Sequence, residues 1–203
     1  MVRARLRAPR RAAHVVLRFA CLLLVFVSAA TGAERLADPT KSFVEGYDPS
    51  GQDFLANVPE RTVLLRVRAD LDGDGWQDLA LSDSSTWGNA GGQWLLFRGQ
   101  ADGAYVYWGT LFFAPGSTAL LGRGELTVYV RTSAARGTLE TYRLTATGIT
   151  KIASRAMNLE EPGDNQRYDA VLKSGKRLPV EFCKLIDYRR EPVSCWQPGL
   201  GLR

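Results

Sequence analysis

The sequence predicts an all-β domain of short antiparallel strands in a meander, preceded by an export leader. Two observations indicate the fold. From Thr62 onward, short stretches rich in Val, Leu, Tyr, Phe and Thr alternate with turns that contain Gly or Asp, and in "TVLLRVRA" the apolar residues Val63, Leu65, Val67 and Ala69 share one face. No window of helical length carries a convincing apolar stripe, so we expect no helix in the domain.

Residues 1–33 have the composition of a secretory signal peptide. Six arginines are followed by the apolar run "FACLLLVFV" and by the small residues "SAATGA", with Ala30 or Ala33 as the last residue before cleavage. The apolar run is shorter than the roughly 20 residues of a membrane span, so an uncleaved anchor is the less favoured alternative. We expect an exported protein, periplasmic or secreted, without stable membrane insertion after cleavage.

The charge of the chain depends on this leader. The 203 residues contain 26 Lys+Arg and 21 Asp+Glu, a formal net charge of +5. Six of the arginines lie in the leader, so the remaining 170 residues carry 20 basic and 21 acidic side chains. The high isoelectric point therefore gives no reason to expect nucleic-acid binding.

The single histidine, His14, also lies in the leader. The exported chain would therefore lack Ser-His-Asp and Cys-His chemistry and histidine-ligated zinc. Of the three cysteines, Cys21 leaves with the leader, and Cys183 and Cys195 remain. In an oxidising compartment this pair predicts a disulfide, with two free thiols as the alternative.

The elements follow in order. Residues 34–61 form a polar, turn-rich segment, and residues 62–203 form the β domain. Asp102-Gly103 marks a hairpin turn, as does "SAARG" further along. The predicted strands cover residues 62–69, 78–82, 93–99, 104–113, 125–132, 138–145 and 148–157, with two more in 168–188 around "KSGK".

An aspartate-rich stretch, "DLDGDGWQD", joins the first two predicted strands. It places carboxylates at loop positions one, three, five and nine, namely Asp70, Asp72, Asp74 and Asp78. Gly75 at position six permits a sharp turn, and the Trp76 carbonyl at position seven would be a fifth oxygen ligand. This spacing predicts a Ca²⁺ site. The alternative is a solvated acidic turn, since Asp and Gly are good turn formers.

The loop differs from an EF-hand, because Leu81 occupies position twelve and strands flank it on both sides. "DLDGDGWQDLAL" followed by "GGQWLLFRGQADGAYV" instead resembles an FG-GAP or VCBS-type repeat over residues 62–113. The resemblance implies a β-propeller blade whose inter-strand loop is tied by Ca²⁺. One clear copy is present, and "EPGDNQRYDAVL" is only a faint echo. We therefore expect a partial or small propeller, with self-association as one way to complete it.

Other candidates are weaker. Trp87 and Asn89, in "STWGNAGGQW", could form an aromatic ligand face, with packing in the core as the alternative for the tryptophan. No carboxylates outside the loop form a recognisable catalytic constellation, although a glycoside-type hydrolase based on carboxylates remains the alternative function. The sequence favours a non-catalytic, calcium-stabilised binding module with a protein or carbohydrate partner.

Overall fold

Two antiparallel meanders, each of four consecutive strands, form most of the described part of the protein. The structure is a computed structural model that describes residues 34–44, 49, 63–184 and 194–197. The predicted leader and most of the turn-rich segment lie outside these residues. The elements are β1 (Arg35–Leu36), α1 (Pro39–Val44), β2 (Val63–Ala69), β3 (Asp78–Asp83), β4 (Gly92–Gly99), β5 (Tyr105–Phe113), β6 (Thr118–Gly122), β7 (Glu125–Arg131), β8 (Arg136–Thr145), β9 (Gly148–Asn158), α2 (Pro162–Ser174), β10 (Val180–Lys184) and β11 (Ser194–Trp196).

The first sheet has the strand order β1-β5-β4-β3-β2-β10-β11, and the second has the order β6-β7-β8-β9. Every pairing between these strands is antiparallel. The meander β2–β5 is the centre of the first sheet, and the second sheet is a meander throughout. The prediction of an all-β, blade-like fold is confirmed.

The first sheet is buried on both faces. Leu65 and Val67 point into a core that also contains Leu126 and Val128 of the second sheet. Leu64, which precedes Leu65 in sequence, points to the opposite face, where it joins a second core containing Phe43 of α1. This alternation is the period of two expected for a strand. In β4 both sets of side chains are apolar and buried, with Trp94 and Leu96 in the first core and Leu95 and Phe97 in the second.

A bulge in β5 connects the two sheets. Leu96 pairs with Gly109 and Phe97 pairs with Tyr107, so Trp108 is the extra residue on its strand. Its indole N–H donates to the Thr145 carbonyl at the end of β8, at 2.9 Å. Trp108 therefore contacts the second sheet as well as its own.

The prediction of strand structure over 168–174 is wrong, because these residues belong to helix α2. None of the described residues of α2 is buried, which explains why no apolar stripe marks the helix. The helix starts with Pro162 at a position that favours it. Tyr168 holds it to the second sheet through an edge-on contact with Tyr129, with ring centroids 5.1 Å apart. Strand β6, which precedes the helix in the chain, was not predicted either.

The predicted disulfide is confirmed. Cys183 of β10 and Cys195 of β11 are direct cross-strand partners, and their sulfurs are bonded. The bond closes a loop of twelve residues in sequence separation and fixes β11 at the edge of the first sheet. In the described part of the chain, neither helix has the length and apolar character that crossing a bilayer requires.

Candidate metal centre

The aspartate loop joins β2 to β3 and is folded by its own carboxylates. Asp70 accepts hydrogen bonds from the backbone N–H groups of Gly73 and Gly75, at 2.7 and 3.0 Å. Asp72 accepts from the N–H of Asp74 at 3.1 Å. Gly73 and Gly75 have φ values of 80° and 93°, a region that glycine enters with little cost. The alternation of Asp with Gly therefore produces a tight coil.

This coil brings three of the predicted ligands together. Asp70, Asp72 and Asp78 each have a carboxylate oxygen within 4.8 Å of one from the others. The cluster could hold a metal ion, and its donors are all carboxylate oxygens, which suit a hard divalent cation. The fourth predicted carboxylate, Asp74, is not part of this cluster.

Asp78 is the buried anchor of the cluster, with its residue fully excluded from solvent. Its two oxygens accept from the N–H groups of Leu71 at 2.7 Å and Gly99 at 2.9 Å. It thus ties the start of the loop to the end of β4. Burial raises the pKa of Asp78 from 3.8 to about 7, against the lowering effect of the two N–H donors. The negative charges of Asp72 and Asp74 raise it further.

Arg98, at the end of β4, is the functional residue that sequence reasoning missed. Its Nε donates to Asp72 Oδ2 at 2.8 Å, and its Nη2 donates to Asp74 Oδ2 at 2.5 Å. Arg98 thus pairs with one carboxylate of the cluster, Asp72, and with Asp74, which lies outside it. The hydrogen bond to Asp72 is the main cause that raises the pKa of the Arg98 guanidinium.

The formal charge of the site follows from these residues. With all four aspartates ionised, the site carries −4 + 1 = −3, and with Asp78 protonated, as its pKa of about 7 allows near neutral pH, it carries −2. A divalent ion bound to the ionised site would reduce −3 to −1. The side chains of Asp72 and Arg98 are 4% and 20% exposed, so water screens their interaction only partly. The arrangement attracts cations even with Arg98 in place.

The turn between β6 and β7 supports the loop from the second sheet. A Cβ placed on Gly124 would lie 2.9 Å from the Asp72 carbonyl oxygen and 2.5 Å from that of Leu144. The absence of a side chain on Gly124 therefore lets three backbone segments meet. Because the loop backbone contacts this turn, a side chain added at Gly124 would displace the backbone of Asp72.

The fifth predicted ligand is the Trp76 carbonyl. The backbone N–H of Trp76 donates to Asp74 Oδ1 at 2.9 Å, so its position depends on the loop. The side chain contributes nothing to the cluster and is 46% exposed.

Trp87 lies in a different place from the loop. Its indole N–H donates to Ser82 Oγ at 2.7 Å, and its ring packs edge-on against Trp94 with centroids 5.6 Å apart. A Cβ on Gly92 would come within 2.1 Å of this indole. Trp87 is therefore half-buried and packed, whereas Asn89 is exposed. Their role as a ligand face stays a prediction.

No known protein family matches this chain, and neither a curated protein nor a solved structure shows significant similarity to it. The site must therefore be interpreted from its own geometry.

Proposed function

We propose that this protein is an exported, non-catalytic binding module in which one Ca²⁺ ion, held by the aspartate loop, stabilises the fold. The observation that carries the proposal is the convergence of the Asp70, Asp72 and Asp78 carboxylates within 4.8 Å of one another. Like charges at this separation repel unless a cation lies between or beside them.

The chemistry of the donors favours Ca²⁺. The Asp70, Asp72 and Asp78 carboxylates and the Trp76 carbonyl would hold it, with Asp74 available if Arg98 releases it. Ca²⁺ accepts six to eight oxygen ligands in flexible geometry, whereas Mg²⁺ requires a near-ideal octahedron. The described cluster includes neither a histidine nor a cysteine, the donors that zinc sites use most. When bound, the ion supplies charge neutralisation.

The surroundings of the loop support the FG-GAP or VCBS-type resemblance as part of this proposal. The loop joins adjacent antiparallel strands, with strands rather than helices on both sides. The meander from β2 to β5 covers residues 63–113, close to the 62–113 unit on which the resemblance rests. The faint echo at residues 161–172 lies largely in α2, so a second loop of this kind does not form there.

The disulfide supports export. Bonds between cysteines persist in oxidising compartments and are rare in the cytosol. Cys183 and Cys195 are bonded in the folded domain, as an exported protein allows. The composition of residues 1–33 points the same way, since it is that of a signal peptide.

The distribution of acidic groups favours binding over hydrolysis. Glycoside hydrolysis commonly uses two carboxylates on either side of the scissile bond. In the described ranges, the acidic groups outside the loop include six that pair with basic side chains: Asp102 with Arg35, Glu125 with Arg143, Glu140 with Lys151, Asp164 with Arg155, Asp169 with Lys173 and Glu181 with Arg66. These six carboxylates are occupied by structural ion pairs.

Calorimetric titration with Ca²⁺ and with Mg²⁺ tests the proposal. We expect one Ca²⁺ per chain, much weaker Mg²⁺ binding, and loss of Ca²⁺ binding in Asp70→Asn, which keeps the shape of the side chain. Asp169→Asn is the matched control, because Asp169 lies on α2 in an exposed pair with Lys173. Absence of Ca²⁺ binding to the wild type, or equal loss in both variants, would overturn the proposal.

A further inference from the structure

The side chain of Trp76 is not needed for metal binding by the aspartate loop. Position seven of such a loop contributes only its backbone carbonyl, so the ion does not require an aromatic residue there. Yet the indole is 46% exposed at the surface, an uncommon place for so large an apolar group. Across the described ranges, no hydrogen bond to the indole N–H is found.

A pocket of about 230 Å³ lies beside this indole. It is formed between the aspartate loop and the hairpin that joins β4 to β5. Its lining includes Trp76, Gln77, Gly99, Gln100, Gly103 and Tyr105. Its volume is below the roughly 300–1,000 Å³ of pockets for drug-sized ligands, so it suits a single ring.

The walls of the pocket are fixed by hydrogen bonds. The Gly99 N–H donates to buried Asp78 at 2.9 Å, which joins the hairpin to the loop. The hairpin closes with a bond from the Gln100 N–H to the Ala104 carbonyl at 2.9 Å. A Cβ on Gly99 would lie 2.2 Å from the Gln77 carbonyl oxygen, so the two segments are in direct contact. The pocket is therefore preformed.

The lining combines aromatic groups with neutral polar ones. The lining residues include Trp76, Tyr105 and two glutamines, and none of them is a charged residue; Tyr105 also packs against the second core, which fixes its position. The Gln100 Nε2 donates to the Gly99 carbonyl at 3.0 Å, which leaves its oxygen directed elsewhere. A saccharide ring offers an apolar C–H face to an aromatic ring and hydroxyl groups to amides, and this lining can satisfy both.

The neighbouring charge selects against anions. Without a bound ion the aspartate loop has a formal charge of −3, or −2 with Asp78 protonated, when Arg98 is counted, and it forms one wall of the pocket. A phosphate or an acidic sugar would be repelled by the loop in this state. A neutral sugar would not be.

We propose that this pocket binds one ring of a neutral saccharide, stacked on Trp76 and hydrogen-bonded by Gln77, Gln100 and Tyr105. This inference adds a ligand class to the proposed binding function, and it does not require the metal to be calcium. The loop contributes by fixing the Trp76 backbone through Asp74.

Nuclear magnetic resonance with ¹⁵N-labelled tryptophan indoles tests this on the protein purified after expression of the full chain. All five tryptophans lie outside the predicted leader, and Trp76→Phe assigns the Trp76 signal. The probes are the methyl glycosides of glucose, galactose, mannose and N-acetylglucosamine, with glucuronate and adenosine for comparison. We expect at least one neutral glycoside to shift the Trp76 signal saturably, and glucuronate to bind more weakly.

Trp196 is the matched control, because it is 47% exposed and lies on β11 at an edge of the first sheet. Trp76→Ala should abolish saturable binding, and Trp196→Ala should preserve it; in both variants binding is followed by the backbone amide signals of Gly99 and Gln100, which also line the pocket. Failure of every glycoside to move the Trp76 signal, equal binding by Trp76→Ala, or stronger binding of adenosine would overturn the inference. If Ca²⁺ still binds in that case, only the saccharide assignment fails and the proposed metal function stands.

Discussion

Arg98 partly neutralises the negative charge of the aspartate loop when no metal is bound. Its guanidinium bonds both Asp72 and Asp74, so a cation from another strand already neutralises part of the loop. A metal ion that uses these two carboxylates must compete with Arg98. We therefore expect Arg98 to order the loop before binding and to reduce its affinity for the proposed Ca²⁺.

Removing Arg98 should strengthen Ca²⁺ binding. A hydrogen bond to a charged group contributes on the order of 1.5–3 kcal/mol, so losing one competing bond should raise affinity roughly 10- to 150-fold. We expect Arg98→Met to bind Ca²⁺ more tightly by calorimetry and to melt at a lower temperature in chelator. Arg143→Met, which breaks an exposed pair with Glu125, is the control. Unchanged or weaker Ca²⁺ binding by Arg98→Met would contradict this role.

Asp78 should titrate near neutral pH when metal is removed. Its pKa is raised to about 7 in the folded state by burial, from an ordinary value of 3.8. The folded state therefore holds a proton that the unfolded state has released, and the free energy of unfolding contributed by this group falls as pH rises from 3.8 to about 7. Carbon-13 spectra of the carboxyl in chelator should show a midpoint close to 7. A midpoint at the ordinary value would refute the burial argument.

Some residues of the site could be predicted from the sequence, and Arg98 could not. The four aspartates and Trp76 lie within nine consecutive positions, so their spacing alone indicated a common centre. Arg98 is 26 residues from Asp72, and nothing in its neighbourhood marks it as a partner of the loop. Only the antiparallel pairing of β3 with β4 brings its strand beside the loop.

At the scale of elements, the turn from β6 to β7 links the second sheet to the aspartate loop. Gly122 and Gly124 both have positive φ, 85° and 71°. The position on Gly122 opens to empty space, whereas a Cβ on Gly124 would meet the Leu144 and Asp72 carbonyls. Gly122 is therefore required only by its positive φ, whereas Gly124 is required both by its positive φ and by the lack of room for a side chain.

Gly124→Ala should therefore cost more than Gly122→Ala. Both changes place a side chain at positive φ, a cost of roughly 1–2 kcal/mol, and Gly124→Ala adds crowding of roughly 1–3 kcal/mol. Urea unfolding measures the difference in the free energy of unfolding. We also expect a lower affinity for Ca²⁺ only in Gly124→Ala, since it displaces the Asp72 backbone. Equal stability of the two variants would show that the turn does not press on the loop.

Helix α2 was missed in the sequence for a physical reason. Helix α2 is held by the contact of Tyr168 with Tyr129 and by pairing of Asp164 with Arg155, neither of which is a periodic apolar pattern. The meander strands from β2 to β5 and from β7 to β9 were predictable because apolar and β-branched residues between clear turns need no tertiary context. The helix depends on residues distant in sequence, and its own residues do not reveal them.

At the scale of the whole molecule, two meanders share one core, and the aspartate loop lies where they meet. Leu71 of the loop is buried in the core that contains residues of both sheets. Asp78 fixes the loop to β4, and Gly124 contacts it from the second sheet. Stabilising this loop should therefore stabilise the domain as a unit.

Thermal melting of the wild type with Ca²⁺ and with chelator tests this most directly. Binding to the folded state alone adds about 2.7 kcal/mol at a hundredfold excess over Kd, a rise in Tm of roughly 5–10 °C. Asp72→Asn should abolish the rise while the β signature in circular dichroism persists. A wild-type Tm that is the same with Ca²⁺ and with chelator, together with no bound ion by elemental analysis, would show that the loop is only an acidic turn.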